Sequence, residues 1–183
     1  MRFIYFTLLT FGLLLPACSE SSTEIKGKVE TEHSLLTELQ AFSDVSSLPE
    51  YLTDTYCAQV SSWDTTGGND DGFNGRYSFL RVDDDGNLVI FDIKGSGVIN
   101  RIWTPTPTTD TLDFYFDNDE KPVLSIRFID LFSGEQYPFT APLCGNQLGG
   151  YYCYLPLTFE KSCKIVFRGK NIQFHQIQYR LYK

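Results

Sequence analysis

What most limits the fold of this chain is a two-residue alternation of apolar and polar side chains, interrupted at short intervals by Gly, Asn, Asp and Pro, from Tyr77 to Tyr182. Successive strand residues point to opposite faces of a sheet, so alternation of this kind marks strands with one face in a core. Leu112, Phe114 and Phe116 share one face and Asp113 and Tyr115 the other. The same period separates Ile99, Arg101 and Trp103 from Val98, Asn100 and Ile102. Strands are expected over Tyr77–Val82, Asn87–Ile93, Val98–Thr104, Thr111–Phe116, Val123–Phe128, Tyr151–Leu155, Lys164–Arg168 and Ile172–Tyr182. A one-sided sheet needs a second layer, which predicts an all-β fold, a two-sheet sandwich of jelly-roll type. Asp83-Asp84-Asp85-Gly86-Asn87 reads as a hairpin turn, because Asp-Gly tolerates positive φ. A calcium loop is the sharper reading of the three aspartates, but the distant bidentate Glu of an EF-hand loop does not follow.

Ahead of the strands, Leu35, Leu39 and Phe42 fall at helical spacing behind Ser34, the pattern of one short amphipathic helix packed on the domain edge. The N-terminus carries a different signal. Arg2 is followed by an apolar run from Phe3 to Leu15, short for a membrane span and without a charged stop, which reads as a signal peptide over residues 1–17. Leu15-Pro16-Ala17-Cys18 resembles a bacterial lipobox, so Cys18 is the expected lipidation site and the protein is expected to be exported and lipid-anchored to a bacterial membrane. Residues 18–33 are polar and read as a flexible tether to a domain over 34–183. In an oxidising compartment Cys57, Cys144, Cys153 and Cys163 allow two disulfides in three possible pairings, with buried free thiols as the alternative.

Composition narrows the function classes. The 15 Lys and Arg against 23 Asp and Glu give a net charge of −8, which repels nucleic acid at long range, so no nucleic-acid partner is expected. Only two histidines, His33 and His175, are present, which argues against a His-rich zinc site, and no metal or cofactor is expected. The densest polar stretch runs from Ser61 to Phe73 and combines hydroxyls, an indole, carboxylates, an amide and glycines. Those groups suit a sugar site: indole faces stack on the apolar side of a ring and carboxylates or amides take its hydroxyls. A plain surface loop has the same composition.

Resemblance adds to this. Ser61-Ser62-Trp63-Asp64, Thr66-Gly67-Gly68-Asn69-Asp70-Asp71, the run Asp92 to Thr104 and Phe114-Tyr115-Phe116-Asp117 resemble the DUF2961 proteins, glycoside hydrolase family 172. Further blocks follow in order at Asp130 to Gly134, Pro142 to Asn146, Gly149 to Pro156 and Glu160 to Ile165, so the likeness covers about 46–182. It departs at Thr65 and Ser96, where the family usually has arginine and proline. The resemblance implies a retaining furanosidase of α-D-fructofuranosidase or D-arabinofuranosidase type, acting on furanoside-containing oligo- or polysaccharides. It also implies two jelly rolls per chain and assembly as a homo-oligomer, a trimer or a multiple of one. It places the catalytic glutamate pair in the second jelly roll. Since this chain stops at Lys183, the expectation is the N-terminal half of such an enzyme, inactive alone, with a non-catalytic carbohydrate-binding or oligomerisation module as the alternative.

The substrate contacts implied are Trp63, Asp64, Asn69, Asp70 and Trp103. Asp64 has a competing reading as a loop cap, and Trp103 as core filling. His175, in phase with Ile177, Tyr179 and Leu181, is expected to be a satisfied core or interface histidine. Hydrolysis by Asp64 and Asp70 themselves is not expected, because a glycine-rich loop does not keep a carboxyl dry enough to hold its proton.

Overall fold

The computed structural model describes residues 33–47, 49 and 51–183. The expected signal peptide, the lipidation site Cys18 and all but the end of the tether lie outside the described residues.

Helix α1 (Leu35–Ala41) begins where Ser34 caps it: the Ser34 hydroxyl accepts from the Thr37 amide at 3.3 Å, and Thr37 Oγ1 accepts from the Ser34 amide at 3.0 Å. The strands are β1 (Thr55–Ser61), β2 (Arg81–Val82), β3 (Leu88–Lys94), β4 (Gly97–Thr104), β5 (Thr111–Phe116), β6 (Leu124–Arg127), β7 (Glu135–Gln136), β8 (Phe139–Thr140), β9 (Cys144–Gln147), β10 (Gly150–Cys153), β11 (Leu157–Phe159), β12 (Ser162–Phe167) and β13 (Gln176–Tyr182). One sheet runs β1-β13-β4-β10-β9, with β11 also on β4; the other runs β2-β3-β12-β5-β6. Every pairing within these two sheets is antiparallel. Ile102, Ile177 and Tyr179 from the first sheet meet Phe91, Phe114 and Ile165 from the second in one apolar core. This is the expected sandwich preceded by one short helix.

Several local expectations change. The stretch Tyr77–Val82 keeps only Arg81 and Val82 in the ladder, because the chain is still turning where the Ser78 amide bonds the Gly75 carbonyl. The last strand starts at Gln176 rather than Ile172, since Phe174 takes φ +32°. The helix buries its apolar stripe only in part: Leu39 packs on the core and Leu35 and Phe42 are exposed, whereas Glu38 is buried. Glu38 is drawn inward by Arg180 and Tyr182, an ionic attachment that fixes which face of α1 meets the sheet.

The two-residue period of β4 also fails in one place. Tyr179 pairs with Ile99 and Gln178 with Arg101, so Asn100 is an extra residue bulged out of the ladder. One added residue shifts the phase of everything after it. Ile99 and Ile102 therefore both face the core, and Arg101 and Trp103 turn away from it. Trp103 is not core filling.

The Asp83 to Asn87 turn is a hairpin between β2 and β3. Gly86 adopts φ +79°, and the Asp83 carboxylate accepts from the Asn87 amide at 2.8 Å and the Asp85 amide at 3.1 Å. Those backbone donors hold its pKa down, with the Asn87 amide foremost. Among the described residues no cluster of three His, Cys, Asp or Glu side chains is arranged to hold a metal ion.

Candidate functional site

The ends of three neighbouring strands make the site. Gln176 opens β13 and is flanked by Ser61, the last residue of β1, and by Trp103 on β4. A cavity of about 290 Å³ lies there, walled by Ser61, Ser62, Trp63 and Asp71 on one side and by Trp103, Phe174, His175 and Gln176 on the other. Trp63, 58% exposed, stands at its edge. Trp103 is half-buried in its wall because the Asn100 bulge re-aimed it.

Arg101 sets the outer wall. Its Nη1 donates to Gln176 Oε1 at 2.8 Å, and the guanidinium carbon lies 5.6 Å from the centre of the Trp103 ring, within cation–π range. The indole is thereby fixed from one side by a planar cation. Phe174 is held by its own carbonyl, which accepts from the Thr104 hydroxyl at 2.7 Å, and its ring meets Phe73 edge-on at 4.9 Å. Gly72 has φ +111°, and a Cβ there would come within 2.9 Å of the Phe174 amide nitrogen, so only glycine fits between the loop and this wall.

His175 is the most unusual member. Its backbone is held on both sides, the carbonyl accepting from the Ser62 amide and the amide donating to Ser62 Oγ, each at 3.1 Å. Its side chain is 2% exposed, and neither ring nitrogen has a hydrogen-bond partner. The expectation of a satisfied core histidine is therefore corrected: the imidazole is buried but unsatisfied. Burial pulls its pKa down to about 4, so the ring is neutral at pH 7, with one nitrogen a donor and the other an acceptor.

The loop from Trp63 to Gly75 is organised by Asp64, a residue buried at its base. Its Oδ1 accepts from the Thr66 amide at 2.8 Å and the Thr66 hydroxyl at 2.6 Å, and its Oδ2 from the Asp70 amide at 3.2 Å. The Thr66 hydroxyl first, then backbone amides, hold the carboxyl down to about pKa 2 against the opposing effect of burial. The Asp64 amide donates in turn to Asp71 Oδ1 at 2.8 Å, which ties the loop to the cavity wall.

Of the five contacts implied by the sequence, the cavity brings together Trp63 and Trp103. Asp64 lies beneath the loop, occupied by the donors just named. Asp70 accepts from the Asn74 amide and side chain, and Asn69 is exposed at φ +69° on the loop tip. Neither Asn69 nor Asp70 lines the cavity. Ser62, Asp71, His175 and Gln176 line it and were not singled out as contacts. The phase of His175 with Ile177 foretold its burial, but no sequence pattern reports that a side chain lacks a partner.

The family model described as the GH172 first beta-sandwich domain matches residues 53–183, which takes in β1 to β13 and leaves α1 outside. No curated protein matches the chain.

Proposed function

The chain belongs to the GH172 family through that family's first β-sandwich domain, and from this premise we propose that it binds furanoside-containing glycans in the cavity between Trp63 and Trp103. The observation that carries the reading is that one cavity is lined by two indoles, Trp63 and Trp103, together with the polar side chains of Asp71 and Gln176. An indole face suits the C–H side of a sugar ring, and a carboxylate and an amide in the lining take its hydroxyls. At about 290 Å³ the cavity is at the small end of ligand pockets, so it encloses one ring of a chain rather than several. Asp64 serves as the loop's organiser in this reading. With Thr65 where the family usually has arginine, the Thr66 hydroxyl and loop amides do the work of stabilising its charge.

The domain's part is to hold substrate for a retaining furanosidase of α-D-fructofuranosidase or D-arabinofuranosidase type. Retention needs two carboxyl groups roughly 5–5.5 Å apart, one of them protonated. Asp64 is held ionised, the wrong state for a proton donor. Cleavage is assigned to the glutamate pair that the resemblance places in the family's second jelly roll. Calorimetry with α-D-fructofuranosyl and α-D-arabinofuranosyl oligosaccharides, with matched pyranosides as controls, tests the reading. Saturable binding of a furanoside that weakens at least tenfold in Trp63→Ala, without turnover of aryl furanosides, is the expected result. Absence of heat with every furanoside contradicts it.

A second role rests on a separate observation. Leu36, Phe42, Val45, Tyr51 and Leu52 are large, apolar and exposed along the chain leading into β1. Burial of that surface against further copies gives the homo-oligomer expected of the family, which light scattering on the purified chain reads directly. Acylation of Cys18 places the cavity at a bacterial membrane surface; labelling with a fatty-acid analogue, lost in Cys18→Ser, is the check.

A further inference from the structure

Two of the cysteines stand apart from the others in their relation to each other. Cys57 is exposed on β1, and Cys163 is buried in the second sheet opposite Ile93 and Phe116. Cys144 on β9 and Cys153 on β10 are directly opposed in the ladder, both about 1% exposed, with their sulfurs 3.3 Å apart. In an antiparallel pair, opposed residues alternate between hydrogen-bonded and non-hydrogen-bonded sites. The Tyr154 amide donates to the Leu143 carbonyl at 2.8 Å, which marks the adjacent site as the bonded one. Cys144 and Cys153 therefore occupy the non-bonded site, where Cα atoms lie about 4.5 Å apart and side chains come closest. That separation falls at the short end of the range disulfides span. Of the three pairings the sequence allows for its first bridge partners, the geometry leaves one.

We propose that Cys144 and Cys153 form a cross-strand disulfide that staples the β9–β10 hairpin behind the cavity indole. The hairpin is joined to the site through β10, where Tyr152 pairs with Trp103. It also packs there closely: a Cβ on Gly150 would lie 3.0 Å from Trp103 Nε1. β9 is the edge of its sheet, so an unlinked hairpin has one free side from which to fray. The bridge removes that freedom beside Trp103.

The chemistry balances with a small-molecule disulfide of the oxidised-glutathione class as oxidant. The Cys144 thiolate attacks one sulfur of the oxidant and expels one thiolate. The Cys153 thiolate then attacks Cys144 Sγ and expels the second. Two protein thiols lose two protons and two electrons, and the oxidant is reduced to two thiols. The contact between the two sulfurs lowers the Cys144 pKa and raises that of Cys153, which makes Cys144 the first nucleophile. Because both sulfurs are buried, the exchange belongs to folding or to opening of β9, and the finished bond is shielded from reductant.

Refolding the full chain in a glutathione redox buffer, alkylating it in denaturant and mapping it without reduction tests the proposal. A peptide pair joining Cys144 to Cys153 is expected. The oxidised protein should melt about 5 °C above the same protein unfolded, reduced and refolded in dithiothreitol, and a Cys144→Ser/Cys153→Ser variant should show no such difference. Alkylation of both residues after oxidative refolding, or a bridge from either one to Cys57 or Cys163, overturns it.

Discussion

The two ends of β13 treat a buried polar group in opposite ways. At the C-terminal end Glu38 reaches from α1 to Arg180, its two carboxylate oxygens 2.6 and 2.8 Å from Nη2, and also accepts from the Tyr182 hydroxyl. Burial raises the Tyr182 pKa to about 12, so that hydroxyl keeps its proton and stays a donor. At the N-terminal end His175 has a fully held backbone and a side chain bonded to nothing. A buried polar group without a partner costs on the order of 1–3 kcal/mol. One end of the strand uses polar chemistry to attach an element. The other leaves a neutral ring buried without a partner behind a cavity with two indoles.

Breaking the ion-paired end has the largest expected effect. Glu38→Ala leaves the Arg180 guanidinium without its carboxylate in a largely buried setting, which should destabilise the domain by about 3 kcal/mol in denaturant titrations while leaving furanoside affinity unchanged. The open end should show itself through pH. His175 has a folded pKa of about 4, below the ordinary value of 6.5, so the unfolded chain takes up its proton first. Its contribution is present above pH 6.5 and falls away between 6.5 and 4, by about 2–3 kcal/mol. Melting curves across that window should lose this slope in His175→Phe.

A smaller effect is expected from Asp64, whose folded pKa is depressed to about 2. Its stabilisation of the loop is present above about pH 4 and is lost as pH falls toward 2. At neutral pH, Asp64→Ala should speed hydrogen exchange of the Thr66 and Asp70 amides about tenfold, with the sandwich core unaffected. The smallest change in stability belongs to Trp63→Ala, under about 0.5 kcal/mol for an exposed side chain. That substitution should nonetheless remove most of the sugar affinity.

The layers of the sandwich were legible because Leu112, Phe114, Ile177 and Tyr179 keep the two-residue period of a one-faced strand. β1 is harder to read because its alternating face, Tyr56, Ala58 and Val60, is only partly buried and ends in the polar Ser61-to-Phe73 stretch. The short strands β7 and β8 are too brief to carry a period. The bulge at Asn100 depends on the register of β13, so the strand's own sequence does not contain it. Within the site, Trp63 and Trp103 were legible from residue type, and the Asp64 to Asp70 spacing from its turn residues. The open valences of His175 were not, since they depend on what β1 and the loop fail to place nearby.

The most direct test observes that imidazole itself. The chain has two histidines, so a His33→Gln variant isolates the ring nitrogens of His175 in a nitrogen-15 spectrum. Before ligand, the spectrum should show a neutral ring. Titration with the α-D-fructofuranosyl or α-D-arabinofuranosyl oligosaccharide that binds by calorimetry should shift both nitrogens and saturate at the same affinity. A spectrum unchanged when calorimetry shows the furanoside fully bound would contradict the assignment of this cavity as the sugar site.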